Sequence, residues 1–180
     1  MLHPDFDRVL ISREEIDKRV REIAAELDRD YAGKNPLFIT ILKGSVFFFT
    51  DLLQSLTIPA EFDFMSVSSY GSGTTSGGRV RILKDHDIPA EGRDVVIVED
   101  IVDSGHTLSH IVELFRSRET KSLRICTLLD KPSRRVVPLK PDYCGFTIPD
   151  EFIVGYGLDY DEKYRLEHDI CVLSRSVYEK

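Results

Sequence analysis

The segment Val95-Val-Ile-Val98-Glu99-Asp100-Ile-Val-Asp103-Ser104-Gly105-His106-Thr107-Leu108 constrains this chain more than any other. Four consecutive β-branched residues make an apolar run without polar alternation, which suits a strand covered on both faces. Such strands belong to parallel sheets sandwiched between helices. Glu99, Asp100 and Asp103 follow, then a glycine and hydroxyls, and the spacing of Leu108, Ile111, Val112 and Phe115 marks a helix. The amides and dipole of a helix N-terminus favour an anion. The carboxylates beside them favour a cation or sugar hydroxyls. In an open α/β sheet, ligands bind at the carboxyl ends of the strands, near the point where strand order reverses. No GxxxxGK[ST] loop occurs, so a phosphate here is cradled by amides and hydroxyls without a lysine.

The rest of the chain repeats this alternation. Ser12-x-x-Glu15 reads as a capping box with Ile11 and Ile16 as its hydrophobic staple, and Ile16, Val20, Ile23, Ala24 and Leu27 continue a helical stripe. Leu37–Leu42 is a short apolar run expected to be a buried strand, and Val46, Phe49, Leu53 and Leu56 return to helical spacing. Further strands are expected at 62–67 and 123–129. The pattern predicts an α/β fold with a mostly parallel central sheet flanked by helices. Beyond about residue 130, Pro132, Pro138, Pro141 and Pro149 break the pattern, and this tail is expected to form a small hood lobe. Residues 71–78, all Gly, Ser or Thr, lack the third glycine of a dinucleotide fingerprint and no helix pattern follows them.

At 180 residues the chain fits one domain, and no internal repeat or long linker divides it. Its 24 Lys plus Arg against 31 Asp plus Glu give a net charge of −7, which argues against bulk binding to a nucleic-acid backbone. A short basic stretch from Arg134-Arg135 to Lys140 is a poor footprint for an RNA-binding regulator. No secretory leader or membrane span is evident, and Cys126, Cys144 and Cys171 are widely spaced, without CxxC. A cytoplasmic protein with reduced cysteines is expected.

The run VVIVEDIVDSGHTL resembles the phosphoribosyl pyrophosphate (PRPP) signature of type I phosphoribosyltransferases. Supporting pieces stand in order along the chain: Leu42-Lys43-Gly44-Ser45, Ser69-Tyr70-Gly71, Lys84-Asp85, Asp130-Lys131-Pro132, and Asp150-Glu-Phe152-Ile153 running on to Asp159. Together they narrow the resemblance to the hypoxanthine-guanine branch of that family.

The resemblance implies a single phosphoribosyltransferase domain over 1–180, its hood formed largely by about 130–180 plus the N-terminal segment. It implies Mg²⁺-assisted transfer of the 5-phosphoribosyl group from PRPP to N9 of a 6-oxopurine, through a transition state resembling an oxocarbenium ion. Glu99 and Asp100 then bind the ribose hydroxyls, directly or through Mg²⁺, and Asp159 is a further metal ligand, often through water. Ser104, Gly105, His106 and Thr107 form the 5-phosphate loop, with His106 offering its amide. Asp103 borders that loop as the candidate acid/base. Lys43, Gly44 and Arg165 hold pyrophosphate, in a loop where the family uses a non-proline cis peptide; Ser45 stands where some relatives have a second glycine. Lys131 donates to the purine O6, Phe152 stacks on the base, and Ile153 offers its backbone at the base edge. Ser69 and Tyr70 belong to a flexible flap over the site. Expected partners are PRPP and a 6-oxopurine, with no nucleic acid and no membrane, in a homodimer or homotetramer. A sister preference for xanthine or guanine stays open, because Lys131 reads only the 6-oxo group that all three bases share. The Phe47–Phe49 cluster is core or interface.

Overall fold

The computed structural model describes residues 2–70 and 79–179. The elements run β1 (Phe6–Ile11), α1 (Arg13–Asp30), β2 (Leu37–Leu42), α2 (Val46–Ser55), β3 (Glu61–Tyr70), β4 (Arg79–Lys84), β5 (Asp94–Val102), α3 (His106–Ser117), β6 (Ser122–Asp130), β7 (Tyr143–Thr147), β8 (Ile153–Val154), β9 (Ile170–Leu173) and α4 (Arg175–Tyr178). Six strands form the main sheet in the order β4-β3-β2-β5-β6-β7, and β1-β9-β8 form a second, three-stranded sheet. Within the main sheet only the β3–β4 pair is antiparallel. The mostly parallel sheet and flanking helices are as expected.

The sheet is buried where the apolar runs foretold. Val95 to Val98 and Leu37 to Ile39 have no measurable exposure. One core cluster packs α1 and α2 against Phe38, Val96, Val98 and Leu128, and another packs α3 against Ile39, Ile97 and Met65. The capping box closes reciprocally, with the Ser12 hydroxyl accepting from the Glu15 amide and Glu15 accepting from the Ser12 amide. All five stripe residues of α1 are buried. In α2 the buried residues are instead Phe48, Phe49 and Leu52, while Val46, Leu53 and Leu56 are only half-buried. The phenylalanine cluster is therefore split, with Phe48 and Phe49 in the core and Phe47 exposed.

The segment from about residue 130, expected to form the hood, divides between the two sheets. The segment after residue 130 first makes a 3-10 turn at Pro132–Arg134 and then β7, which extends the main sheet alongside β6. The three-stranded sheet takes β8 and β9 from the C-terminal part, and β1 pairs antiparallel with β9. Prolines at 132, 138 and 141 interrupt the chain between β6 and β7 without diverting it from the sheet. The flap tip, 71–78, lies outside the described residues; the backbones of Ser69 and Tyr70 end β3, paired with Val80 and Arg79 of β4.

The base of this β3–β4 hairpin is held by one buried carboxylate. Asp63 accepts from the amides of Phe64 (2.7 Å), Asp87 (2.6 Å) and Ile88 (3.0 Å), and Lys84 lies 3.8 Å away. Burial works to raise its pKa, but the three amides and Lys84 together hold it below the ordinary value. A depressed folded-state pKa gives stability that is present above the unfolded value, near 4, and lost as pH falls through the folded one. Asp63→Asn is therefore expected to cost about 1–2 kcal/mol at pH 7 and much less at pH 3, measured by urea unfolding at the two pH values.

Candidate active site

The strand order reverses between β2 and β5: from this pair the chain runs outward through β3 on one side and through β6 on the other. Pairing of β2 with β5 ends at Thr40–Val98, whereas β5 stays paired to β6 as far as Val102–Asp130. Glu99 and Asp100 are thus on the strand itself, just beyond its pairing with β2. Glu99 is 8% exposed. Among the described residues neither carboxylate has a Lys, Arg or His within ion-pair distance. Burial, and then the neighbouring Asp100, push the Glu99 carboxyl well above its usual range. Burial likewise pushes Asp100 up to about 6, against the amides that bond it and the more distant Arg165.

The loop leaving β2 reaches this edge. The Leu42–Lys43 peptide is cis. A side chain at Gly44 would overlap the Asp100 carboxylate, so the loop packs directly on the acid. Ser45, fully buried, donates its hydroxyl to the Ile41 carbonyl (2.5 Å) and accepts from Thr40 (2.7 Å). It thereby ties the loop to β2 where a second glycine would leave it untied. Lys43 pairs with Glu162 at 3.1 Å, and Arg165 reaches Asp159 (2.9 Å), Glu162 (3.3 Å) and the Gly157 carbonyl (2.7 Å). The two cations expected at pyrophosphate therefore converge, joined by Glu162, a residue the sequence reading did not single out.

At the end of β5 the chain turns into α3 through Gly105, whose φ of +84° lies in the left-handed region. A Cβ there would also come within 2.7 Å of Val137. Arg135 sets the shape of this turn. Its guanidinium donates to the carbonyls of Asp103 (2.9 Å), Val102 (3.1 Å) and Leu139, and pairs with Asp130. The sequence offered Arg134-Arg135 only as a basic stretch; two of the Arg135 partners, Val102 and Asp103, are remote in sequence. Ser104, Gly105 and Thr107 line a notch of about 120 Å³ together with Glu99 and Asp103. The exposed His106 amide faces the Ser104 hydroxyl at 3.4 Å.

Asp103 also borders a second, larger cavity of about 530 Å³ with Lys131, Phe152, Ile153 and Asp159. Arg134 contacts Asp103 at 3.2 Å. Lys131 is 7% exposed and donates to the Glu151 carbonyl at 2.6 Å. Burial lowers its pKa, opposed by Asp103 and Asp150. The structure thus brings together the predicted base-side residues in one cavity and the predicted phosphate loop in the adjoining notch. Glu99, Asp100 and Asp159 do not form a ready-made cage: among the described residues no three acidic, His or Cys side chains converge as metal ligands. The unpaired pair Glu99–Asp100 nevertheless fits an ion that keeps most of its waters and takes phosphate oxygens for the rest, the habit of Mg²⁺.

The phosphoribosyl transferase domain model matches residues 12–161. The hypoxanthine-guanine phosphoribosyltransferase of Bacillus subtilis (strain 168) is 54% identical over 179 residues, covering 99% of each chain. That of Streptococcus thermophilus is 48% identical over the full length of both chains. The crystal structure of a hypoxanthine phosphoribosyltransferase from Staphylococcus aureus matches with a TM-score of 0.96 at 47% identity, covering 99% of this chain and 97% of that one.

A carboxylate whose folded pKa is raised loses stability for the protein as pH climbs from its unfolded value through the folded one. Asp100→Asn removes that charge and keeps the oxygen that accepts from the Ile101 amide at 2.7 Å. The ligand-free variant is expected to be more stable than the original by about 1–2 kcal/mol at pH 7.5, with the gain vanishing near pH 4, as read by thermal unfolding at both.

Proposed function

The chain belongs to the hypoxanthine-guanine phosphoribosyltransferase family, and on that footing we propose that it serves purine salvage, moving the 5-phosphoribosyl group of PRPP onto N9 of hypoxanthine or guanine. The observation that carries this reading is the position of Asp103, which borders both the notch at the start of α3 and the cavity containing Lys131 and Phe152. A ribosyl donor anchored in one and a base seated in the other would meet beside that carboxylate.

The 5-phosphate takes the amides and hydroxyls of Ser104, Gly105, His106 and Thr107, at the positive end of α3. The ribose hydroxyls lie along Glu99 and Asp100, whose negative field favours the positive charge that develops on the ribose as the bond from C1 to pyrophosphate breaks. Pyrophosphate leaves with that bond's electron pair toward Lys43, Gly44 and Arg165, displacing Glu162 from between the cations. Purine N9 forms the new bond to C1, and Asp103, at N7, takes up the proton the base gives away. Lys131 spends one of its three hydrogens on Glu151, and the others are available to a purine O6. An ammonium only donates, so adenine's 6-amino group finds no acceptor there. Phe152 supplies a stacking face, and the Ile153 backbone reads the base edge. Ser69 and Tyr70 close the flap against water.

The residues that would hold Mg²⁺ are Glu99 and Asp100, directly or through the ribose hydroxyls, and Asp159 through water; the ion would neutralise the leaving pyrophosphate. The unpaired Cys126, Cys144 and Cys171 accord with a reducing compartment such as the cytoplasm, and no helix among the described residues is long and apolar enough to cross a membrane. Assembly as a homodimer or homotetramer would cover the exposed Phe47 and Phe62.

The test is to incubate the protein with PRPP, Mg²⁺ and, separately, hypoxanthine, guanine, xanthine and adenine, and to separate the products by chromatography. Nucleotide formation from hypoxanthine and guanine is expected, with adenine slower by roughly a hundredfold or more. No nucleotide from either base would refute the assignment. Asp103→Asn should lower kcat by about 10²- to 10⁴-fold with the KM for PRPP little changed; an unaltered kcat would remove Asp103 from its role.

A further inference from the structure

Phe152 stands immediately before the two-residue strand β8. It is caught between two tyrosines that arrive from elsewhere in the chain. Tyr178, in α4, stacks on it with centroids 4.8 Å apart and planes 26° from parallel. Tyr160 meets it edge-on at 5.6 Å and 86°, and stands 6.5 Å from the Tyr178 ring. One face of Phe152 is thereby occupied, yet the residue remains 38% exposed. The face left for a planar ligand is the one opposite Tyr178. Tyr178 itself reaches the wall of the cavity that contains Lys131 and Asp103.

We propose that Tyr178 is a positioning residue of the base site: it backs the ring of Phe152, so that an incoming purine stacks on a surface already fixed in place. The proposal rests on the reading of that cavity as the purine site. A phenyl ring free to turn must be ordered as the ligand binds, and that ordering weakens binding; a ring held beforehand avoids the cost. Offset-stacked aromatic pairs have enough energy to hold it. The backing residue is itself well anchored. The Ser174 amide before α4 donates to the Asp5 carbonyl at 2.8 Å, and the Ser174 hydroxyl bonds Asp7. Val177 and Tyr178 pack against the small hood core of Phe6, Val154, Cys171 and Leu173. The Leu173 amide donates to the Phe152 carbonyl at 2.9 Å, joining the anchor and the stacked ring through one backbone bond. The C-terminal turn, tied down by the N-terminal strand, thus forms the rear support of the base site.

Steady-state kinetics on Tyr178→Ala and Tyr178→Phe, with thermal midpoints for both, test the proposal. Tyr178→Ala is expected to raise the KM for hypoxanthine about three- to tenfold while the KM for PRPP stays within about twofold, and Tyr178→Phe, which keeps the stacked ring, is expected to restore the original value. An unchanged hypoxanthine KM in Tyr178→Ala would overturn the proposal. So would a lower one, which would make Tyr178 an obstruction, or an equal rise in both KM values, which would indicate general loosening. Should Tyr178→Ala fail to fold, Tyr178→Leu keeps the bulk without the ring and reads the same difference. Absence of turnover with any 6-oxopurine in the unaltered protein would instead count against the purine reading, and against the positioning role with it.

Discussion

A strand that outruns its neighbour underlies the whole site. Because β2 stops pairing with β5 at Val98, the next two residues of β5, Glu99 and Asp100, stand in the space beyond the end of β2, Asp100 toward the loop that follows β2 and Glu99 toward the notch at the start of α3. That space is closed by the loop carrying Lys43 and Gly44, and only a residue without a side chain fits against Asp100 there. A buried and a half-buried acid next to each other, with no ion-pair partner among the described residues, are unfavourable in isolation. Their raised pKa values express that cost. The proposed reaction uses the same property, since a metal ion, sugar hydroxyls and a developing positive charge are what such a pair lacks.

The surrounding packing maintains this arrangement. Arg135 gathers the carbonyls of Val102, Asp103 and Leu139, which fixes how β5 turns into α3 and where Asp103 emerges. On the other flank, Arg165 holds the Gly157 carbonyl, and Gly157, at φ +102°, in turn approaches the Gly44 carbonyl too closely to admit a side chain. The C-terminal part of the chain contributes Phe152 and its tyrosine supports. Residues from both ends of the chain therefore meet over the carboxyl edge of one sheet, in accord with the rule that open α/β sheets bind ligands where strand order reverses.

Local signals in the sequence were sufficient for much of this. The capping box and stripe of α1, the buried runs of β2 and β5, and the acidic strand end before α3 depend on residues a few positions apart, and the structure reproduces them. The strands that escaped notice, β1, β4, β8 and β9, are short or half-exposed members of small or edge pairings, where no long apolar run develops. The placement of β7 in the main sheet was hidden by prolines that read as interruption. Arg135, Glu162 and Tyr178 were not legible because their partners are supplied by the fold: a guanidinium among distant carbonyls, a carboxylate between two cations, and a ring behind another 26 positions earlier in the chain.

The central claim is that the carboxyl end of β5 is where PRPP and its metal are held. A crystal structure of the protein with Mg²⁺ and PRPP measures this most directly. The account predicts ribose hydroxyls or the metal on Glu99 and Asp100, the 5-phosphate at Ser104–Thr107, and pyrophosphate between Lys43 and Arg165. PRPP bound without contact to Glu99 and Asp100, for example in the separate cavity of about 520 Å³ beside Arg116 and Lys140, would contradict it.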